Sequence, residues 1–117
     1  RIQFGKPLTS FQMIQEKLVY CLSNIQSMIY FCKSVYDENQ TGGVSMGKAA
    51  LCKSYCTTKA RETVRILREL WGGNGIISTN LVMRILADLE SLHTYEGTYE
   101  INTLLAGREI TGIAAFK

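Results

Sequence analysis

The sequence predicts an all-α fold, an up-and-down bundle of two long and two shorter helices. Three observations predict it. Apolar residues recur at three- and four-residue steps through four separate stretches. Glycine-rich breaks fall between those stretches. Sustained apolar–polar alternation and hairpin dipeptides, the marks of strands, are missing. With 117 residues there is room for one core and one domain, spanning 1–117.

The first helix announces itself at Phe11, Ile14, Leu18, Cys21, Leu22, Ile25, Met28, Ile29, Cys32 and Val35. This stripe runs about 40 Å at 1.5 Å per residue. Pro7 stands just ahead of it, where proline precedes or opens a helix. The helix should end between Asp37 and Gln40, with Thr41-Gly42-Gly43 as the turn. A second helix should begin near Ser45, with Met46, Ala49, Cys52, Cys56, Ala60, Val64, Leu67 and Trp71 on one stripe. Small residues in its first half allow a neighbouring helix to come close. Gly72-Gly73-Asn74-Gly75 ends it, since glycines adopt backbone angles that side chains forbid. Leu81, Ile85, Leu89 and Leu92 mark a third, shorter helix. A loop is expected from His93 to Gly97. Thr98 is then the N-cap of a last helix bearing Ile101, Leu104, Leu105, Ile110 and Ile113. Core packing is the reading for all these stripes.

Composition excludes several classes. Hydrophobic residues make up 46% and charged residues 20%, as in ordinary globular chains. The net charge is +3, with 13 Lys and Arg scattered rather than clustered, so no nucleic-acid partner is expected. No apolar run approaches the ~20 residues that span a bilayer, so no membrane partner is expected either. Cys21, Cys32, Cys52 and Cys56 sit among apolar residues, where free cysteine behaves as a small hydrophobe in a reducing compartment. Cys52 and Cys56 share a helix face, but the usual ligand spacings are missing, so no metal site is expected.

Four local signatures, in order, go beyond periodicity. They are Arg1-Ile2-Gln3-Phe4-Gly5 with Phe11-Gln12, Trp71-Gly72-Gly73-Asn74-Gly75, Tyr95-Glu96-Gly97-Thr98, and Ala106-Gly107-Arg108-Glu109. Together they resemble the C-terminal helical domain of the acyl-CoA dehydrogenase and oxidase family, over essentially the whole chain. The tail from Ile101 to Ile113 and the pair Arg68-Glu69 most resemble glutaryl-CoA dehydrogenases and plant-type short-chain acyl-CoA oxidases.

That resemblance implies FAD as cofactor, an acyl-CoA substrate and α,β-dehydrogenation as in fatty acid β-oxidation. Glu96 is implied as the base that takes the α-proton, with Tyr95 as an apolar wall and Gly97 giving close backbone approach to the thioester. Arg108 should point inward or along a cleft, near substrate. Arg1 is implied for the FAD pyrophosphate, Gln3 and Phe4 for the nucleotide end with Phe4 near adenine, and Gln12 for amide hydrogen bonds there. Gly72 and Gly73 would offer backbone N–H groups. Glu69 stands where many branches carry a flavin-contacting Gln, Thr98 would add a hydroxyl for the flavin, and Phe116 would lie near it. The family shares FAD across subunits, which implies a homo-oligomer, dimer or tetramer. It also implies N-terminal helical and β domains outside this chain, and a mitochondrial matrix location with the peroxisome as alternative. The opening on Arg1 fits a piece of something longer. Two other readings stay open: a peroxisomal short-chain acyl-CoA oxidase, and a cofactor-free helical oligomerisation module. His93 is expected as a partly exposed loop residue.

Overall fold

In a computed structural model, which describes residues 1–116, the chain forms four α-helices: α1 (Gln12–Thr41), α2 (Met46–Leu70), α3 (Leu81–Thr94) and α4 (Tyr99–Thr111). The domain measures 58 × 26 × 24 Å, its long dimension set by the 30-residue α1. Helix α2 is the centre and packs against α1, α3 and α4. The all-α bundle holds.

A small hairpin precedes the helices and departs from the strand-free expectation. Strands β1 (Ile2–Gln3) and β2 (Lys6–Pro7) pair antiparallel, Ile2 opposite Pro7 and Gln3 opposite Lys6. Phe4 and Gly5 make the turn with φ of 53° and 75°. Two positive φ angles match the twist of a two-residue hairpin. Phe-Gly is not among the usual dipeptides for that turn, which is why the pattern was not legible. The Phe4 ring meets the edge of Phe11 at 6.3 Å, and the Lys6 ammonium lies 4.5 Å over Phe11, tying the hairpin to the start of α1.

Helix ends follow local chemistry. The Thr41 hydroxyl donates to the Asp37 and Glu38 carbonyls, and Gly42 N–H donates to the Glu38 carbonyl at 3.2 Å, closing α1. The Ser45 hydroxyl accepts from Lys48 N–H at 3.1 Å and caps α2. Glu109, from the last turn of α4, strengthens that cap. It accepts from the Ser45 hydroxyl at 2.6 Å and from Gly47 N–H at 3.0 Å, placing negative charge at the positive end of α2. A Cβ on Gly47 would stand 2.4 Å from the Glu109 carboxylate, so only glycine permits this approach.

The core is built from small side chains. Cys21, Ala50, Cys52 and Ala106 are its buried apolar residues, joined by Asn24, Ser54, Thr63 and Asn102. The Asn24 amide donates to the Thr63 hydroxyl at 3.2 Å, and no buried polar side chain among the described residues lacks a partner. Burial pushes the thiols of Cys21, Cys52 and Cys56 up.

The stripes are only partly core. On α1 the line Phe11, Ile14, Cys21, Asn24, Met28, Phe31 and Val35 is buried or half-buried. Leu18, Leu22, Ile25 and Ile29 are exposed, Leu22 by 56% and Ile29 by 54%. One packed neighbour covers one line of a helix, and the α1 stripe is wider than that line. On α4 the same correction applies: Asn102 and Ala106 are buried, whereas Ile101, Leu104 and Ile110 are exposed. Ile113 lies past the helix end and is exposed too. No helix among the described residues is long and apolar enough to cross a membrane.

Candidate active site

The predicted site residues fall into two groups at different levels of α2. One group surrounds the loop between α3 and α4. That loop is shorter than expected, because His93 and Thr94 still belong to α3. His93 is half-buried, its Nδ1 3.0 Å from the Thr57 hydroxyl and its ring stacked on Tyr99 at 5.7 Å. It is a packed helical residue.

In the loop, Tyr95 is extended, Glu96 has φ 55° and Gly97 has φ 89°. A left-handed conformation costs a non-glycine residue about 1–2 kcal/mol. Four side-chain hydrogen bonds hold it. The Lys53 ammonium, reaching from α2, donates to the carbonyls of both Tyr95 and Gly97, on either side of Glu96. The Asn102 amide, buried in α4, donates to the Gly97 carbonyl at 2.7 Å and to the Thr98 carbonyl at 2.9 Å. Tyr95 N–H closes α3 on the Ser91 carbonyl, and the Thr98 hydroxyl accepts from Ile101 N–H at 3.4 Å as the N-cap of α4. The result is a rigid loop that presents Glu96 to solvent, with no ion pair to its carboxylate among the described residues. Such an acid can receive a proton from a molecule docked on the loop. Tyr95, 52% exposed, stands beside it.

Lys53 and Asn102 were missed by sequence reasoning. Lys53 is a lysine among several on α2, and nothing local tells which carbonyls it meets. Asn102 did leave a signal. An Asn inside a helix, four residues past a cap, often bonds back to the preceding turn.

The second group lies where the start of α1 meets the end of α2. Gly72, φ 56°, opens the turn of Gly72–Ile76, and a Cβ there would lie 3.7 Å from the Arg1 guanidinium. Arg1, Leu8, Leu70, Trp71 and Asn74 line a cleft of about 280 Å³ beside it. Around a Cβ built on Gly73 there is open space. Gln3 and Phe4, with Leu8, Phe11 and Lys17, line an adjoining groove of about 260 Å³. Gln12 and Lys17 border the next one. Glu69 is paired with Lys17 at 2.9 Å, and that hydrogen bond holds its carboxyl below the usual range. Arg1, Gln3, Phe4, Gln12, Glu69, Gly72 and Gly73 therefore share one corner, with Lys17 linking its parts.

Two predicted residues stand apart from both groups. Arg108 is exposed, so of the two expected placements, inward or along a cleft, it does not take the inward one. It shares the outer face of α4 with Ile101 and Leu104, because contact with α2 turns Asn102 and Ala106 inward instead. Phe116 lies beyond α4 and is exposed by 46%. The two groups themselves are well separated. Lys53 and Leu70 are 17 positions apart on one straight helix, about 25 Å along its axis.

Comparison with known proteins adds a family. Residues 1–111 match the family described as acyl-CoA dehydrogenase, C-terminal domain. A crystal structure of a glutaryl-CoA dehydrogenase from Mycobacterium smegmatis in complex with FADH2 is 33% identical. It matches all of this chain with 30% of its own and a TM-score of 0.95. Another structure of glutaryl-CoA dehydrogenase from M. smegmatis is 32% identical with the same coverage and score. The structure described for the electron transferring flavoprotein of Acidaminococcus fermentans matches 95% of this chain with 29% of its own. Its TM-score is 0.90 at 22% identity, a likeness of fold alone. The chain thus spans about 30% of the length of the glutaryl-CoA dehydrogenases it matches.

Proposed function

The chain belongs to the acyl-CoA dehydrogenase family, as its C-terminal domain, and from that premise we propose that it completes a flavin-dependent acyl-CoA dehydrogenase in which Glu96 is the catalytic base. The observation that supports this reading is the Glu96 loop. An acid with a left-handed backbone, held by Lys53 and Asn102 and without an ion pair among the described residues, is arranged to act on a docked molecule. Strain of this kind persists where surrounding structure over-determines it, often at sites of function.

In the proposed reaction the Glu96 carboxylate takes the proton from the carbon next to the acyl thioester. That proton is only weakly acidic, so negative charge developing on the thioester oxygen needs a donor. The Glu96 N–H, fixed by the left-handed turn, is the candidate. Tyr95 supplies an apolar wall that helps exclude water once substrate is seated. Bound FAD would supply the acceptor for the β-hydrogen, as hydride, so that proton and hydride loss together would give the α,β-unsaturated thioester.

The residues present fit the dinucleotide. Arg1 offers a guanidinium fork for phosphate oxygens. The missing side chains of Gly72 and Gly73 leave backbone open beside it. Yet the Arg1 corner and the Glu96 loop lie about 25 Å apart along α2. That separation supports an assembly in which each corner serves a different FAD, one in its own subunit and one in a partner. The exposed Leu18, Leu22, Ile25 and Ile29 face of α1 is apolar surface suited to such a homo-oligomer, a dimer or tetramer. A mitochondrial matrix location, with the peroxisome as alternative, rests on the family alone.

The test uses the full-length protein. It should carry FAD, and anaerobic addition of glutaryl-CoA or a short straight-chain acyl-CoA should bleach the flavin. Subsequent admission of oxygen sorts dehydrogenase from oxidase by peroxide release. A flavin that no acyl-CoA bleaches, or a protein without flavin, overturns the proposal.

A further inference from the structure

Three of the four cysteines meet at one point. Cys32 comes from α1, and Cys52 and Cys56 come from one face of α2. The sulfur–sulfur distances are 3.9 Å for Cys32–Cys52, 3.8 Å for Cys32–Cys56 and 3.9 Å for Cys52–Cys56. These three sulfurs form a nearly equilateral triangle.

From this triangle we propose that Cys32, Cys52 and Cys56 form a three-thiolate site for a thiophilic closed-shell cation, with monovalent copper the ion it suits best. A point equidistant from the three sulfurs lies about 2.2 Å from each, the side divided by √3. That is within about 0.1 Å of the ~2.3 Å zinc–thiolate bond. Soft sulfur ligands select monovalent copper and zinc over harder ions. No His, Asp or Glu among the described residues joins the group. Zinc in structural sites takes four ligands, so a closed set of three sulfurs favours an ion content with three. Binding replaces three thiol protons by one cation, with no change of oxidation state when copper arrives reduced. Cys52 is buried and forms the floor, while Cys32 is exposed and leaves an entry path.

A disulfide is the competing use of these sulfurs. It needs one pair drawn to about 2.05 Å. Here no pair is favoured over the other two, and a third sulfur would be stranded. The near-equal spacing is what a central ion requires and what a disulfide does not.

This inference is independent of the flavin chemistry, and so is its test. The reduced full-length protein is titrated anaerobically with monovalent copper against bicinchoninate, a colorimetric copper chelator. A second arm uses zinc, with cobalt(II) as its absorbing substitute. Wild type should take up an equivalent that Cys32→Ser and Cys56→Ser each weaken by more than about 100-fold, beyond the 10–100-fold cost of losing an outer-shell partner. Cys21→Ser should retain it, since Cys21 lies 11 positions away on α1, about 16 Å along the helix. X-ray absorption should show three sulfurs at about 2.2–2.3 Å from copper. Helical circular dichroism checks each variant, and Cys32→Ser, at an exposed position, is the one least exposed to misfolding. Uptake in the zinc arm alone, lost with the same variants, keeps the site but overturns copper as its ion. Failure to compete in either arm, or an equivalent untouched by folded Cys32→Ser, overturns the site.

Discussion

The loop at Glu96 and the corner at Gly72 each use a left-handed residue, but they are built differently. Around Glu96 the chain is held from both sides: Lys53 reaches from α2 to the Tyr95 and Gly97 carbonyls, and Asn102 reaches from α4 to those of Gly97 and Thr98. Around Gly72 the conformation falls to glycine, with the Arg1 guanidinium near its missing Cβ and, among the described residues, open space around Gly73. One region spends buried and half-buried polar groups on fixing a single carboxylate. The other leaves its backbone bare. A proton-transfer group must be positioned before substrate arrives, since a misplacement of about 1 Å can cost 10²-fold. A corner that receives phosphates needs room more than rigidity. The contrast therefore tracks the roles proposed for the two regions.

The largest effect should come from the acid itself. In the full-length protein, Glu96→Gln keeps side-chain size and the backbone N–H but cannot accept a proton. Flavin reduction followed by anaerobic stopped-flow should fall by about 10²–10⁴-fold, with substrate still bound. Near-normal reduction would place the base elsewhere and erase the contrast.

Removing the brace tests whether rigidity matters. Lys53→Met leaves Glu96 in place but takes away both flanking bonds. The rate of flavin reduction should drop by about 10²-fold, while FAD retention should fall less than in Arg1→Gln, because Lys53 is far from the Arg1 corner. If the rate holds and FAD is lost instead, the two regions are not separate.

At the other end, Arg1→Gln should weaken FAD retention by roughly 10-fold or more, since hydrogen bonds to charged groups contribute about 1.5–3 kcal/mol. Equilibrium dialysis of the full-length protein measures it, and the chemical step in flavin-saturated enzyme should not change. An unchanged FAD affinity would remove Arg1 from the cofactor.

The smallest effects separate two neighbouring glycines. Gly72→Ala forces a side chain into φ 56°, and should cost about 1 kcal/mol of stability in urea denaturation. Gly73 has neither a positive φ in the left-handed range nor a close neighbour. Gly73→Ala should stay within ~0.5 kcal/mol. Equal losses at both would mean that the turn, rather than the φ of Gly72, sets the cost.

What the sequence by itself determined is local. Spacing of apolar residues located all four helices, Thr98 declared its own cap, and the glycines at 42–43 and 72–75 marked where α1 and α2 stop. These features depend on a few consecutive residues, and helical periodicity reports them directly. The short hairpin through Phe4-Gly5 is the local feature that went unread.

What only the tertiary structure decided is which side of each helix meets a neighbour. The α1 stripe reads as one band, yet one line of it is packed and Leu22 and Ile29 face outward. Arg108 sits on an apolar line that faces away from α2, while Glu109 caps it. Lys53 braces a loop more than 40 positions later, and Cys32 joins Cys52 and Cys56 from another helix. Each depends on contacts between residues far apart in the chain. Periodicity fixes an angle around one helix axis, but only packing sets that angle against the next.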